Sequence, residues 1–349
     1  MVLWRVVGVL LLISPVVGAA PPRKAPPGKG CARPGTKLEL LVCQLGHRDE
    51  QVRRSAAHGL GLLGAKAAAA APALGRALRD KSERVRWFAA RSLVLIGKAA
   101  VPALLDTLAE SEPEVRLTAI RSLARIGADA VPGLRRALSH KDARVREGAV
   151  QALAVIGPAA AAAARELEER LADPAEAVRV SAARALGPIG AGGAVPALIK
   201  ALSAEPVALR EAAALALADL GEKAAPALPA LLGALGDLDY AVRRAAGAGL
   251  HGLGAPGLAA LRKALDHKLS LVRQAAVEGL ARFGAGAVPH LTRALSSRHA
   301  DVRLRAAVAL AELGAAAAPA AAALRRARGD RDPAVRKAAR QALERVAPR

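Results

Sequence analysis

The sequence predicts an all-α solenoid of about ten helix pairs, and three observations carry that expectation. Val-Arg, once replaced by Leu-Arg, recurs ten times along 349 residues at nearly constant intervals. Ala stands four places after each anchor, Leu eight places after, and Gly twelve places after nine of the ten. No segment alternates apolar and polar residues with period two, so no strand is expected.

The anchors are Val52, Val85, Val115, Val145, Val178, Leu209, Val242, Val272, Val302 and Val335, spaced by 33, 30, 30, 33, 31, 33, 30, 30 and 33 residues. A period in this range marks a solenoid, in which each unit buries its apolar face against its neighbours. Offsets 0, 4, 8 and 11 fall on one face of a helix with about 3.6 residues per turn. The glycine at offset 12 supplies a left-handed residue that ends that helix. Acids three places before the anchor, Asp49, Glu112, Asp142, Asp239 and Asp332, read as N-caps. Glu112-Pro113, Asp173-Pro174, Glu205-Pro206 and Asp332-Pro333 place proline in a first helical turn. A shorter helix precedes each anchor, opened by proline in Val101-Pro102, Val131-Pro132, Val195-Pro196 and Val288-Pro289, with apolar pairs such as Leu104 and Leu108. The longer Ala-rich turns, Gly64 to Pro72 and Gly314 to Leu324, coincide with the 33-residue spacing.

These paired helices, with the D-x-x-V-R column and the A-x-x-A-L-x-x-I-G tail, resemble HEAT repeats, most closely the phycobilisome-lyase-like subtype. The resemblance covers about residues 36–349 and implies a right-handed α-solenoid whose second helices line the concave face. It also implies that Arg53, Arg86, Arg116, Arg146, Arg179, Arg210, Arg243, Arg273, Arg303 and Arg336 form a structural ladder with acids of the turns, although half the repeats lack the acid in register. The scarcity of large rings, with Phe 2, Tyr 1 and Trp 2, suits thin helices in close layers rather than one globular core.

Ahead of the repeats, Trp4 to Gly18 is an apolar run containing Arg5 and broken by Pro15, and it ends in small residues. Residues 1–19 therefore read as a secretory signal, with a bacterial periplasmic or secreted destination; an uncleaved membrane tether is the alternative. Residues 20–35 are rich in Pro, Gly and basic side chains and read as an extended tether. Cys31 and Cys43 flank the start of the solenoid. A disulfide between them and two unrelated thiols both remain open readings, since spacing gives no distance.

The net charge of +22 points to a protein or polyanionic partner: nucleic acid, an anionic surface or an acidic protein. What discriminates is the exposed stripe of the second helices, at offsets 2, 6 and 10. Its early part carries Arg54, His58, Trp87, Arg91, Leu95, Arg121, Arg125, Gln151 and Arg184. The later part carries Glu211, Asp219, Arg244, Glu278, Arg282 and Glu312, so basic character is concentrated in the first half. Arg54, His58, Trp87, Arg91, Arg121, Arg125 and Arg184 are the candidate partner-binding residues, with Trp87 as the aromatic anchor among cations. The alternative for Trp87 is a filler between repeats.

Two Gly-x-Gly-x-x-Gly runs, Gly59 to Gly64 and Gly247 to Gly252, lie inside repeated helices with no strand before them, so they read as close-packing sites rather than dinucleotide loops. No Walker loop, nucleophile elbow or zinc-protease motif occurs, the seven histidines are scattered, and no cofactor or metal site is expected. The favoured function is a non-catalytic, exported scaffold holding a partner on its concave face. A nucleic-acid-binding solenoid and a lyase or lyase chaperone similar to the phycobilin lyases are the alternatives, the latter resting on fold alone.

Overall fold

The computed structural model describes residues 35–346. The signal segment, the tether up to residue 34 and Cys31 lie outside the described residues. Ten helix pairs follow one another, each a short helix and a long one. They are α1 (Lys37–Gln44) with α2 (Glu50–Leu63), α3 (Ala71–Ala77) with α4 (Glu83–Ile96), α5 (Val101–Thr107) with α6 (Pro113–Ile126), α7 (Val131–Ala137) with α8 (Ala143–Ile156), and α9 (Ala164–Glu169) with α10 (Glu176–Ile189). Then come α11 (Val195–Ala201) with α12 (Val207–Leu220), α13 (Leu228–Ala234) with α14 (Tyr240–Gly252), α15 (Ala255–Ala264) with α16 (Ser270–Ala281), α17 (Val288–Ala294) with α18 (Ala300–Leu313), and α19 (Ala321–Ala327) with α20 (Pro333–Val346). No strand occurs among the described residues, and the fold class is an all-α solenoid of helix pairs. The described residues fall into two compact units, one ending at Gly133 and the other beginning at Leu134.

The repeated columns are the core. All ten alanines at offset 4 are fully buried, and so are nine of the ten leucines at offset 8; Leu343, on the last helix, keeps partial exposure. Small alanines let the long helices approach, and the leucines fill the layer between long and short helices. Burying each such leucine is worth about 1.5–3 kcal/mol, so stability is distributed over many small interfaces. On α20 Lys337, Arg340, Gln341 and Glu344 are exposed.

The helix ends differ from the sequence expectation in two ways. All nine repeat glycines have positive φ, from 55 to 76°. Yet Gly97 has φ 74° and ψ −138°, whereas Gly190, at φ 76° and ψ 27°, is a left-handed cap of the ordinary kind. The Gly97 geometry is closed to side chains, and it turns the chain directly into a 3-10 segment. The N-caps are also partly different. Asp49, Asp142, Asp239 and Asp332 accept backbone N–H groups as expected. Glu112 holds the cap position without a side-chain bond, Ala175 caps α10, and Pro206 itself caps α12, so Pro174 and Pro206 precede their helices rather than opening them.

The 3-10 segments explain the spacing. Where anchors are 33 residues apart, a seven-residue 3-10 segment links the long helix to the next short one: Gly64–Ala70, Gly157–Ala163, Gly221–Ala227 and Gly314–Ala320. Where they are 30 apart it shrinks to Gly97–Ala100, Gly127–Ala130 or Gly284–Ala287, or α15 begins at once. A 3-10 helix has about three residues per turn, so three extra residues add one turn and leave the following helix in phase.

The invariant arginine has two tasks. In every repeat its Nη1 donates to two carbonyls of the preceding turn; Arg86, for example, reaches Asp80 O at 2.9 Å and Lys81 O at 3.3 Å. At the four 33-residue junctions the same arginine also grips an aspartate of the following repeat: Arg53 with Asp80, Arg146 with Asp173, Arg210 with Asp237, and Arg303 with Asp330, each through Nε and Nη2. These carboxylates stand five places before the anchor, so the ladder acid is not the N-cap acid that the resemblance implied. At the same place the other junctions carry Glu110, His140, Ala204, His267 and Ser297, and only Arg273 finds a substitute, Asp301, at 2.8 Å. Burial pushes the Asp80 and Asp173 carboxyls up, but the arginine and turn N–H bonds together outweigh it; for Asp237 and Asp330 the arginine bond is the largest influence. All four lie below the ordinary carboxylate value.

Candidate partner-binding surface

Because the columns at offsets 4 and 8 are buried on α2, α4 and α6, offsets 2, 6 and 10 must face away from the short helices. The first unit bears this out. His58 and Leu62 on α2, all of Trp87, Arg91 and Leu95 on α4, and Arg121 and Arg125 on α6 are exposed, while Arg54 and Leu117 are half-buried. Leu62, at 73% exposure, is the most open of the large apolar side chains here; Leu95 is at 51% and Trp87 at 46%. Leu62 and Leu117 were not among the sequence candidates, although both occupy the same offsets and could have been found from the column alone.

Phe88 organises the centre. Its ring meets Trp87 edge-on at 4.7 Å between centroids and His58 at 5.2 Å, so an exposed ring from α4 and one from α2 both touch it. The Arg91 guanidinium lies 5.4 Å from the Trp87 centroid, a cation–π arrangement along one helix face. Trp87 is therefore neither a buried filler nor a lone ring. Among the described residues, Arg54, Arg91, Arg121 and Arg125 form no ion pair. By contrast Arg79, in the turn after α3, and Arg135, on α7, pair with Glu110 and Glu166.

Arg184 is exposed on α10 in the second unit, whereas the other six candidates share the first. The second unit also has a shallow groove of about 740 Å³ between α9 and α11, floored by Leu171, Ala197 and Ala201, with Arg165, Glu168, Glu169 and Lys200 on its rim. Its mixed charge selects no ligand sign. Cys43, on α1, is disulfide-bonded. Among the described residues no cluster of His, Cys, Asp or Glu is arranged to hold a metal ion. The glycine runs pack as the sequence suggested: a Cβ on Gly61 would come within 2.4 Å of Ser92 Oγ, and one on Gly252 within 2.7 Å of the Ala218 carbonyl oxygen.

No curated protein matches the sequence. Among solved structures, the karyopherin Kap121p bound to the SUMO protease Ulp1p is similar at 14% identity and TM-score 0.52, covering 88% of this chain and 41% of that one. Kap121p bound to the extreme C-terminus of the phosphatase Cdc14p is similar at 14% identity and TM-score 0.51, with the same coverage. An engineered protein is 24% identical with TM-score 0.41, covering 88% of this chain and 98% of its own. The chain thus spans about two-fifths of the karyopherin's length, and at this identity the likeness concerns the fold. The HEAT-repeat profile matches residues 38–113, 101–174, 164–251, 228–311 and 258–344, which together run through all ten helix pairs, and the chain belongs to the HEAT-repeat family.

Proposed function

We propose that the protein is an exported, non-catalytic HEAT-repeat scaffold that binds a partner protein on the exposed face of α2, α4 and α6, the concave face in the phycobilisome-lyase-like subtype it resembles. The observation that carries this reading is the joint exposure of Trp87, Leu62 and Leu95 among four arginines without carboxylate partners. Trp and Arg dominate binding energies at protein interfaces, and large apolar side chains left open on a soluble repeat mark such surfaces. Kap121p, similar in fold, is seen bound to protein partners, which supports a protein rather than a small-molecule ligand. Export rests on the apolar run and small residues of the first 19 positions.

The test compares partner capture by the full-length protein and by variants, after cross-linking in the intact cell. Trp87→Ala should weaken partner binding by about 2 kcal/mol or more. Reversing Arg328 and Arg331, exposed but on the turn after α19, should change little. Equal losses from Arg91→Glu with Arg121→Glu and from the Arg328 and Arg331 reversals would show that the charge acts as a diffuse field, and the surface assignment would fall.

A further inference from the structure

The fold contains its own control for the candidate surface. The anchor spacing 33, 30, 30, 33 occurs twice, from Val52 to Val178 and from Leu209 to Val335, and clamps and long 3-10 segments recur at its ends. The two halves therefore share a scaffold, position by position. On α12, α14 and α16, the counterparts of α2, α4 and α6, the stripe positions include three acids, Glu211, Asp219 and Glu278, and the small residues Ala248 and Gly252. On α2, α4 and α6 none of the nine stripe positions holds an acid. Since the second half folds with Glu211, Asp219, Arg244, Ala248, Gly252 and Glu278 at the matching places, the helix packing does not require Arg54, Leu62, Trp87, Arg91, Leu95 or Arg121.

Three rows cross the helices. The middle row is His58, Arg91 and Arg121; Leu62, Leu95 and Arg125 lie on one side of it, and Arg54, Trp87 and Leu117 on the other. A cationic row bordered by apolar side chains suits an acidic peptide carrying apolar residues better than a phosphate backbone, which has nothing to place on Leu62 and Leu95. The spacing is informative as well. Packed helices stand about 8–10 Å apart. A polyproline II helix rises about 3.1 Å per residue with three residues per turn, so every third side chain returns to the same face after about 9.3 Å. A β-strand would point residues three apart to opposite faces.

We propose that α2, α4 and α6 hold an acidic peptide segment in polyproline II conformation, with a carboxylate at every third residue meeting His58, Arg91 and Arg121 and the intervening apolar residues packing against Leu62, Leu95 and Trp87. This rests on the reading of the same face as the partner-binding surface. Polyproline II is already populated in unfolded chains, so little ordering is lost when such a segment docks.

The test uses the full chain and a fluorescein-labelled peptide of four Glu-Pro-Leu repeats, followed by polarisation. A peptide of the same composition with its glutamates at every second position, a Lys-Pro-Leu peptide and a twelve-base oligothymidylate serve as comparisons. The three-residue register should bind at least tenfold tighter than the two-residue register, and the lysine peptide should not bind. The variant H58L, R91A, R121E installs the residues of the second half, Leu215, Ala248 and Glu278, at the same scaffold positions. It should lose at least tenfold in affinity with its thermal unfolding unchanged, and L62A with L95A should lose severalfold.

Equal binding of the two registers overturns the polyproline II geometry. Oligothymidylate binding as tight as the Glu-Pro-Leu peptide overturns the peptide in favour of a general polyanion. No binding of any acidic peptide, while Trp87→Ala still abolishes capture of the cellular partner, overturns the occupant and leaves the surface standing. Loss of that Trp87 dependence removes the surface itself.

Discussion

Replacing Asp173 with alanine isolates the clamp between consecutive repeats. Its carboxylate accepts from Arg146 Nε at 2.8 Å and Nη2 at 2.7 Å, and from the Ala175 backbone N–H at 2.9 Å. The Asp173 side chain is fully buried and that of Arg146 is 10% exposed, so the stranded guanidinium cannot simply turn to water. Removing one partner of a buried ion pair costs about 3–5 kcal/mol. Arg146 keeps its Nη1 bonds to the His140 and Lys141 carbonyls, which places the expected loss near the low end, about 3 kcal/mol. His140→Ala is the matched control, because it removes only the bond from the Asp142 N–H to His140 Nδ1 at 3.0 Å, worth about 1 kcal/mol or less. Urea unfolding followed by circular dichroism, with hydrogen exchange to localise the loss, reads both. The acid limb gives a second check. The Asp173 carboxyl is held below the ordinary carboxylate value of 3.8, so its contribution is complete above that value and is lost as pH falls through the lower, folded one. The difference between wild type and Asp173→Ala should therefore be constant near neutrality and shrink only below about pH 4. A cost for Asp173→Ala no greater than that of His140→Ala, or a difference undiminished in acid, would refute the clamp.

Leu123→Ala, at a fully buried leucine of α6, should cost about 2–5 kcal/mol, whereas Gln151→Ala at a stripe position should cost far less; similar losses in urea titrations would mean the faces are misassigned. Gly97→Ala should destabilise by about 1–3 kcal/mol from backbone strain alone, because no atom lies within 4 Å of the added methyl. Gly193→Ala, equally open but without positive φ, should be neutral or slightly stabilising in the same melt. Peptide mapping of the protein isolated from its own cells without reductant should recover Cys31 joined to Cys43, with a mature terminus near Ala20; a free Cys31 thiol, or Met1 on a soluble cytoplasmic pool, would count against the tether and signal assignments.

The periodic part of the architecture was legible in the sequence because each position repeats under the same constraint. Ala119, Leu123 and Gly127 could be read as core, core and helix end by offset alone, and the stripe bearing Trp87 and Arg91 followed as the remaining face. The clamp was not legible in that way. Arg53 and Asp80 are 27 residues apart in different repeats, and Asp80 is matched only in repeats of one length, so averaging over all ten hides it. The acids that did stand out, such as Asp49 and Asp142, bond within their own turns. Leu62 was passed over because an exposed leucine ordinarily means little; its meaning came from Leu95 in the same row of the next helix. The conformation of Gly97 was missed because positive φ alone suggests a left-handed cap, whereas ψ is set by the 3-10 turn that follows.

Length in this array is counted in turns rather than residues. Each residue of a 3-10 segment rotates the chain by about 120°, so deleting one or two from Gly64–Ala70 would swing α3 away from the groove that receives Leu74. Deleting three would restore the phase and produce a connector like Gly97–Ala100, while drawing Asp80 one turn closer to Arg53. Connector length and the aspartate that follows it thus occur together in this chain. A recombination that exchanged connectors without their aspartates would yield repeats that stack in phase yet are no longer fastened to each other.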